Sequence, residues 1–246
     1  MIKFEPLFFS EQGLRENNED AFLCDNTNKN ACFCVVCDGV GGSLKGEVAS
    51  SLACRTVADY IRENELFSSH KQYVDKMVDA VDTAFDRYFD THPDTVGMGT
   101  TLTLLLFFDN RAIAVHIGDS RIYHIRKNKI IFETRDHSLV NVLIDNKIIT
   151  EEEAAYHPQK NVIVRAVQGK SVKASVADVH VISDICSGDY FFLCSDGVLE
   201  SVNSNELIRI LNSEITDEDK MNKIKNCCQA NSRDNYTAVL IPIRQE

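Results

Sequence analysis

The sequence predicts an α+β fold, a central antiparallel β-sandwich flanked by helix pairs and carrying a flap subdomain. Three observations lead there. Short apolar runs rich in β-branched and aromatic residues recur along the chain, polar two-residue turns separate several of them, and longer stretches of helical period are inserted between groups of runs. Taken in order, strands are expected at 4–10, 21–25 and 31–37. Helical period follows, first in Val48, Ala49, Leu52, Ala53, Val57, Tyr60 and Ile61, then in Tyr73, Met77, Val78, Val81, Phe85, Tyr88 and Phe89. Each set recurs at three and four residues and gives a helix with one buried face. Strands resume at 101–108, 111–117, 121–125 and 130–133, where Asp109-Asn110 and Lys127-Asn128 are turns of the kind that join antiparallel neighbours. Between 136 and 175 the pattern weakens into short helical pieces and loop, an appendage on the sandwich. Strands at 176–182 and 190–194, helices near 204–211 and 217–229, and a last strand at 237–243 complete the chain.

Composition narrows the function. The 246 residues include 37 Asp and Glu against 26 Lys and Arg, a formal net charge of −11. Phosphate backbones are held by clustered Lys and Arg, and no basic run is present, so duplex nucleic acid is excluded as the main partner. At 44% apolar and 26% charged the chain is of ordinary globular composition. With 11 Gly, 4 Pro and no Ser-, Gly- or Pro-rich linker, one domain spanning 1–246 is the simplest organisation. No apolar stretch is long enough to span a bilayer, and the first ten residues contain Lys3, Glu5 and Pro6 rather than a secretion signal, so the expectation is a cytoplasmic protein without a membrane partner. In that compartment the nine cysteines are expected to be free thiols. Cys34 and Cys37 have CxxC spacing, but Cys227 and Cys228 are adjacent and supply no second CxxC pair. Because Cys32 and Cys34 alternate with Phe33 and Val35, they read as small buried hydrophobes on a strand.

The acidic residues are more informative in position than in number. Asp38 follows the strand at 31–37 and precedes Gly39; Asp196 follows 190–194 and precedes Gly197; Asp119 follows 111–117 and Gly118. Asp234 stands just ahead of the last strand and Asp20 just ahead of the strand at 21. A carboxylate at a strand end is fixed by the sheet yet reaches outward, and an adjacent Gly lets the backbone approach an ion closely. Any single Asp-Gly pair can be only a turn. Carboxylates that converge raise one another's pKa unless a cation neutralises them, and an all-oxygen donor set suits Mg²⁺ or Mn²⁺ rather than Zn²⁺.

Six segments then carry a resemblance. They are Arg15-Glu16-Asn17-Asn18-Glu19-Asp20, Val36-Cys37-Asp38-Gly39-Val40-Gly41-Gly42, Gly99-Thr100-Thr101, Gly118-Asp119-Ser120-Arg121, Cys194-Ser195-Asp196-Gly197 and Asp234-Asn235-Tyr236-Thr237. In order and spacing they resemble the motif series of the metal-dependent Ser/Thr protein phosphatases (PPM or type 2C), over residues 10–241. Gly46-Glu47 after the Gly-Gly pair is similar to the compact bacterial branch. Asp136-His137-Ser138, His157-Pro158, Asn161 and Arg165 likewise resemble that branch's flap, here about 136–175.

The resemblance implies a sandwich with a binuclear Mn²⁺ or Mg²⁺ centre and hydrolysis of phosphoserine and phosphothreonine by a metal-bridging hydroxide. By position Asp38 bridges both ions, Asp196 and Asp234 complete the first, and the Gly39 carbonyl binds the second. Glu19 and Asp20 hold metal-bound water or ligate directly, Asn235 supports the shell, and Asp119 matches the position that, with Asp196, holds a third, weaker ion. Gly99-Thr100-Thr101 supports the shell through backbone and hydroxyl contacts. Arg15 matches the family's phosphate-binding arginine, whose planar fork suits phosphate oxygens. The implied partners are phosphorylated proteins, substrates of a cognate Ser/Thr kinase, and the implied state is a monomer. Val40 and Ser43 stand where relatives carry His, which leaves metal-bound water or, less directly, His137 as the general acid. A silent regulatory module that keeps the fold and an enzyme for small phosphoesters are the alternatives.

Overall fold

The apolar runs form strands and the periodic stretches form helices in the computed structural model, which describes residues 2–26, 32–40, 45–66 and 69–245. Ala31, Gly41, Gly42 and Ser43 lie outside the described residues. In chain order the elements are β1 (Ile2–Lys3), β2 (Leu7–Glu11), β3 (Asp20–Asp25), β4 (Cys32–Val40), α1 (Gly46–Glu63), α2 (His70–Thr91), β5 (Gly99–Thr100), β6 (Leu102–Phe108), β7 (Arg111–Ile117), β8 (Arg121–Arg126) and β9 (Lys129–Glu133). Then come α3 (Leu139–Asp145), α4 (Glu151–Ala155), β10 (Asp178–Ile182), β11 (Tyr190–Cys194), α5 (Asp196–Leu199), α6 (Ser204–Leu211), α7 (Asp217–Asn231), β12 (Tyr236–Pro242) and β13 (Arg244–Gln245). One sheet has the order β10-β7-β6-β4-β3, with β5 added to β4; the other is β2-β12-β11-β8-β9, and β1 pairs with β13. Every pairing is antiparallel.

Three apolar layers hold these elements. Between the sheets lie Cys34, Val36, Phe107, Ile122, Phe191 and Val239. The outer face of the first sheet buries Phe33, Val35 and Cys37 against Val57 of α1 and Met77 and Phe85 of α2. The outer face of the second buries Phe192 and Leu240 against Leu207 of α6 and Ile224 of α7. Strand β4 is therefore apolar on both faces, and Cys34 and Cys37, three residues apart on a strand, point to opposite ones. They cannot share an ion, so the CxxC spacing carries no site. The helices are amphipathic as their period predicts: Ala49, Ala53, Val57 and Ile61 of α1 and Tyr73, Met77, Val81 and Phe85 of α2 are all buried. Asn203 and Thr216 cap α6 and α7 by accepting from the Glu206 and Asp219 amides. The β8–β9 turn has both Lys127 (φ 46°) and Asn128 (φ 68°) in the left-handed region, as a two-residue hairpin turn requires.

The structure corrects several expectations. β4 continues to Val40 because Gly39 and Val40 pair with Thr100 and Gly99 of β5, so Asp38 lies within a strand rather than beyond one. Asp196 opens a short helix, and Asp20 is the first residue of β3. The two-residue strands β1, β5 and β13 are too short to have a period. The expectation of nine free thiols is also corrected: Cys24 and Cys34, opposite each other on β3 and β4 with Cα atoms 4.1 Å apart, are joined as a disulfide. A register between distant positions brings them together, which spacing along the chain does not reveal. Among the described residues no helix is long and apolar enough to cross a membrane.

Residues 134–177, between β9 and β10, contain α3 and α4 and attach to the sandwich edge. Thr100 and Val167 exchange two backbone hydrogen bonds (3.0 and 2.8 Å), and the His137 amide donates to the Gly118 carbonyl (2.8 Å). Asp82 and Asp86 of α2 accept from Ser175 and Ser171, which moors the far end of the segment.

Candidate metal centre

The antiparallel order brings the ends of β2, β4, β7 and β11 and the starts of β3, β8 and β12 to one end of the sandwich. Asp38 of β4 faces Asp20 of β3 in register. The Asp38 backbone is held tightly: its amide donates to Thr101 Oγ1 (2.9 Å), and its carbonyl accepts from Thr100 Oγ1 (2.9 Å) and the Thr101 amide (2.8 Å). Thr101 Oγ1 also meets Ser120 Oγ at 2.7 Å, which ties the Asp119 loop to the same point. Gly39 donates its amide to the Glu19 carbonyl (3.0 Å). A Cβ on Gly39 would collide with the backbone of Gly46, so Gly39 is needed for this close stacking, while one on Gly46 would push against the Glu19 carboxylate.

The predicted carboxylates gather around Asp38. Burial foremost, then the charges of Asp20, Asp196, Asp119 and Asp234, hold Asp38 well above the ordinary carboxylate range. Asp20 is pushed up to about 7 by burial and, more weakly, by Asp196 and Asp234, although Ser195 and Thr237 hydrogen bonds oppose the shift. Asp119 rises to about 7 through burial, Asp196 and Asp136; Asp196 rises to about 6 through burial and Asp234, opposed by a hydrogen bond with Asp38. Glu19 is raised by burial and Glu47. Converging acids of this kind are relieved by protons or by cations.

The fit to a cation is decided at Asp20. Its Oδ2 accepts from Ser195 Oγ at 2.7 Å, but its buried Oδ1 has no hydrogen-bond partner. An orphaned carboxylate oxygen inside an all-oxygen cluster matches the needs of a hard divalent cation, so the residues fit Mg²⁺ or Mn²⁺. The side chains do not close into a cage: among the described residues no three His, Cys, Asp or Glu groups are placed to hold an ion together. Asp196 bonds to Asp38, and Asp234 Oδ2 is paired with Arg15 Nη2 at 2.6 Å.

That pairing gives Arg15 a second role. The resemblance assigns it to phosphate, whereas its guanidinium here holds Asp234, which raises its pKa above the ordinary value. It remains half-exposed beside a cleft of about 380 Å³ that Glu19, Lys45, Glu47 and Asn235 also line. A second groove, of about 460 Å³, is lined by Asp196 and Asp119 together with Asp136 and Lys160 of the segment after β9.

Asn235, expected as a supporting residue, is buried and uses its whole amide. Its Oδ1 accepts from the Glu19 amide (2.8 Å), and its Nδ2 donates to the carbonyls of Gln12 (2.7 Å) and Asn17 (2.8 Å). Sequence reasoning misses Ser195, Ser120 and Gln12. The two serines lie inside the six motif segments, but nothing local marks Gln12. His137 is buried with both ring nitrogens engaged. Nδ1 accepts from the Gly118 amide (3.1 Å), so Nε2 carries the proton and faces Asp178 Oδ2 (3.1 Å). It braces the Asp119 loop and has no free N–H for a leaving group. Val40 is apolar, and Ser43 lies outside the described residues.

An antiparallel sandwich with helices on both outer faces and an all-oxygen carboxylate cluster at one end defines a class of proteins built for divalent cations. Comparisons with known proteins narrow the class. A family model described as Protein phosphatase 2C matches residues 12–223. Serine/threonine protein phosphatase PstP of Mycobacterium tuberculosis is 34% identical over 235 residues, 95% of this chain, and the chain spans 44% of that protein's length. The crystal structure of serine/threonine phosphatase Stp1 from Staphylococcus aureus is 31% identical, with a TM-score of 0.88 over 99% of this chain and 96% of that one. The catalytic domain of PstP in complex with two manganese ions is 30% identical, with a TM-score of 0.83 over 100% of both chains. The chain belongs to the protein phosphatase 2C family.

Proposed function

We propose that the chain is a metal-dependent protein serine/threonine phosphatase that hydrolyses phosphoserine and phosphothreonine in proteins. The observation that carries this reading is the convergence of Asp20, Asp119, Asp196 and Asp234 on Asp38, with Asp20 Oδ1 left unpartnered. The manganese-bound PstP structure supports Mn²⁺ as the ion; use of Mg²⁺ and a third ion at Asp119 and Asp196 are further parts of the proposal. Asp38, Asp196, Asp234 and the Gly39 carbonyl would hold the ions, and Glu19 and Asp20 would ligate them or hold solvent. When bound, such ions supply Lewis acidity that brings the pKa of water towards neutrality and offsets phosphate charge.

The chain's own residues do the rest. Arg15, at the mouth of the cleft, exchanges Asp234 for substrate phosphate oxygens and orients the ester. Thr100, Thr101 and Ser120 keep Asp38 and the Asp119 loop in place. With His137 engaged at Gly118, solvent is left to protonate the leaving alkoxide. Residues 136–175 act as a flap beside the groove on one domain spanning 1–246. The substrates are phosphoproteins made by a cognate kinase, met by a cytoplasmic monomer; the net charge of −11 disfavours nucleic acid as a partner.

Hydrolysis of a chromogenic phosphate monoester should require added Mn²⁺, fall to background with chelator and return on re-addition. Activity that survives exhaustive chelation would exclude the reading. Phosphothreonine peptides should be turned over with higher kcat/KM than small phosphoesters; the reverse order would make the chain a small-molecule phosphoesterase. Arg15→Ala removes charge-assisted bonds to phosphate, so KM should rise on the order of 10- to 100-fold with a smaller change in kcat. An unchanged KM would remove Arg15 from substrate binding.

A further inference from the structure

The loop that carries Arg15 is held by two side-chain amides, and one of them, Gln12, has no part in the metal cluster. Gln12 Nε2 donates to the Arg15 carbonyl at 2.7 Å and to the Glu16 carbonyl at 2.9 Å. Its own carbonyl accepts from Asn235 Nδ2, which also holds the Asn17 carbonyl. Between Gln12 and Arg15 the chain turns through Gly13 (φ +62°), and a Cβ there would run into the carbonyl of Asp234. The peptide groups on the C-terminal side of Arg15 and Glu16 are thus fixed from Gln12, directly after β2, and that point is fixed in turn by the residue after Asp234. The guanidinium, by contrast, is half-exposed and among the described residues has a single side-chain partner, Asp234.

We propose that Gln12 is a positioning residue for the phosphate-binding arginine: its side-chain amide locks the backbone from which Arg15 projects, so that only the side chain moves between Asp234 and substrate phosphate. This inference rests on the reading of Arg15 as the phosphate ligand. The physical basis is preorganisation. A bidentate grip on phosphate needs a fixed origin for a long side chain, and a loop free to shift by an ångström loses part of that interaction before substrate arrives. Two donors converging on consecutive carbonyls suit an amide NH₂. A carboxylate of the same shape has no proton to give and would face both carbonyl oxygens with like partial charge.

The test uses Gln12→Glu and Gln12→Ala, with Arg15→Ala and the Gln12→Ala/Arg15→Ala double variant, all assayed with a chromogenic phosphate monoester at saturating Mn²⁺. Both Gln12 variants should raise KM about five- to tenfold with kcat within about twofold, the near-isosteric Gln12→Glu being at least as impaired as Gln12→Ala. Gln12 is exposed, so melting temperature should hardly move, which separates this effect from lost stability. The double variant should match Arg15→Ala alone, because Gln12 acts only through Arg15. If Arg15→Ala raises KM but neither Gln12 variant does, or if the two effects multiply in the double variant, positioning by Gln12 is overturned while the role of Arg15 stands. If Arg15→Ala itself leaves KM unchanged, both readings fall.

Discussion

Asp38→Asn should abolish phosphatase activity while leaving the protein folded. Asp38 is the carboxylate on which four others act, and its backbone is held by Thr100 and Thr101 independently of its side chain. Losing several kcal/mol of charge stabilisation at the reacting phosphate, at 1.36 kcal/mol per tenfold, corresponds to a fall in kcat on the order of 10³-fold or more. The isosteric amide also removes one negative charge from a mutually repelling group, so the metal-free variant should melt no lower than the metal-free parent. Added Mn²⁺ should raise the parent's melting temperature, because it binds only the folded state, and should raise the variant's far less. Full activity in Asp38→Asn, or an undiminished Mn²⁺-induced shift in melting, would refute a metal centre built on this residue.

Asp189→Ala should be the most destabilising polar substitution at the end of the sandwich remote from the metal centre. Asp189 is 1% exposed and accepts from Arg126 Nε (2.7 Å) and Nη2 (2.8 Å), His124 Nε2 (2.8 Å) and the Cys186 amide (2.9 Å). Removing it leaves His124 buried without that acceptor and strips two charge-assisted bonds from Arg126, which keeps Asp184, a loss of roughly 2–4 kcal/mol. For a chain of this size the melting temperature should fall on the order of 10 °C. Burial works against the Asp189 charge, but the Arg126, Cys186 and His124 bonds outweigh it and hold its pKa below the ordinary value. Folded Asp189 therefore binds fewer protons than unfolded. Its stabilisation is present above the unfolded pKa of about 3.9 and is lost as pH falls through the folded value. The melting difference between parent and Asp189→Ala should be full near neutrality and shrink below about pH 4. A constant difference from pH 7 to 3 would show that the carboxylate's charge is not what the network uses.

Legibility in the sequence follows how local each signal is. The two long helices and β7 and β11 are readable because apolar period or β-branched composition persists over five residues or more. Asp38, Asp119 and Asp196 are readable because each stands beside a glycine just after an apolar run. What escapes depends on partners far along the chain. The two residues of β5 extend β4 across a separation that no window spans, and so they move Asp38 from strand end to strand interior. Arg15 is 219 residues from Asp234, and the motifs that contain them do not say that they meet. Gln12 carries no mark at all, because a side-chain amide that bonds neighbouring carbonyls looks like any exposed glutamine until the loop closes.

The strand pair that opens the metal centre also fixes its own alignment. β3 and β4 meet with Asp20 opposite Asp38 and Cys24 opposite Cys34, four residues further along the same ladder. Side chains alternate between faces, so a slip of one residue would turn one carboxylate away from the other and separate the sulfurs as well. A chain paired in the wrong register could neither gather the acidic cluster nor gain the binding energy of a cation. A cation bound at this cluster would therefore add its stability only to molecules in which the two strands have met at the right rung.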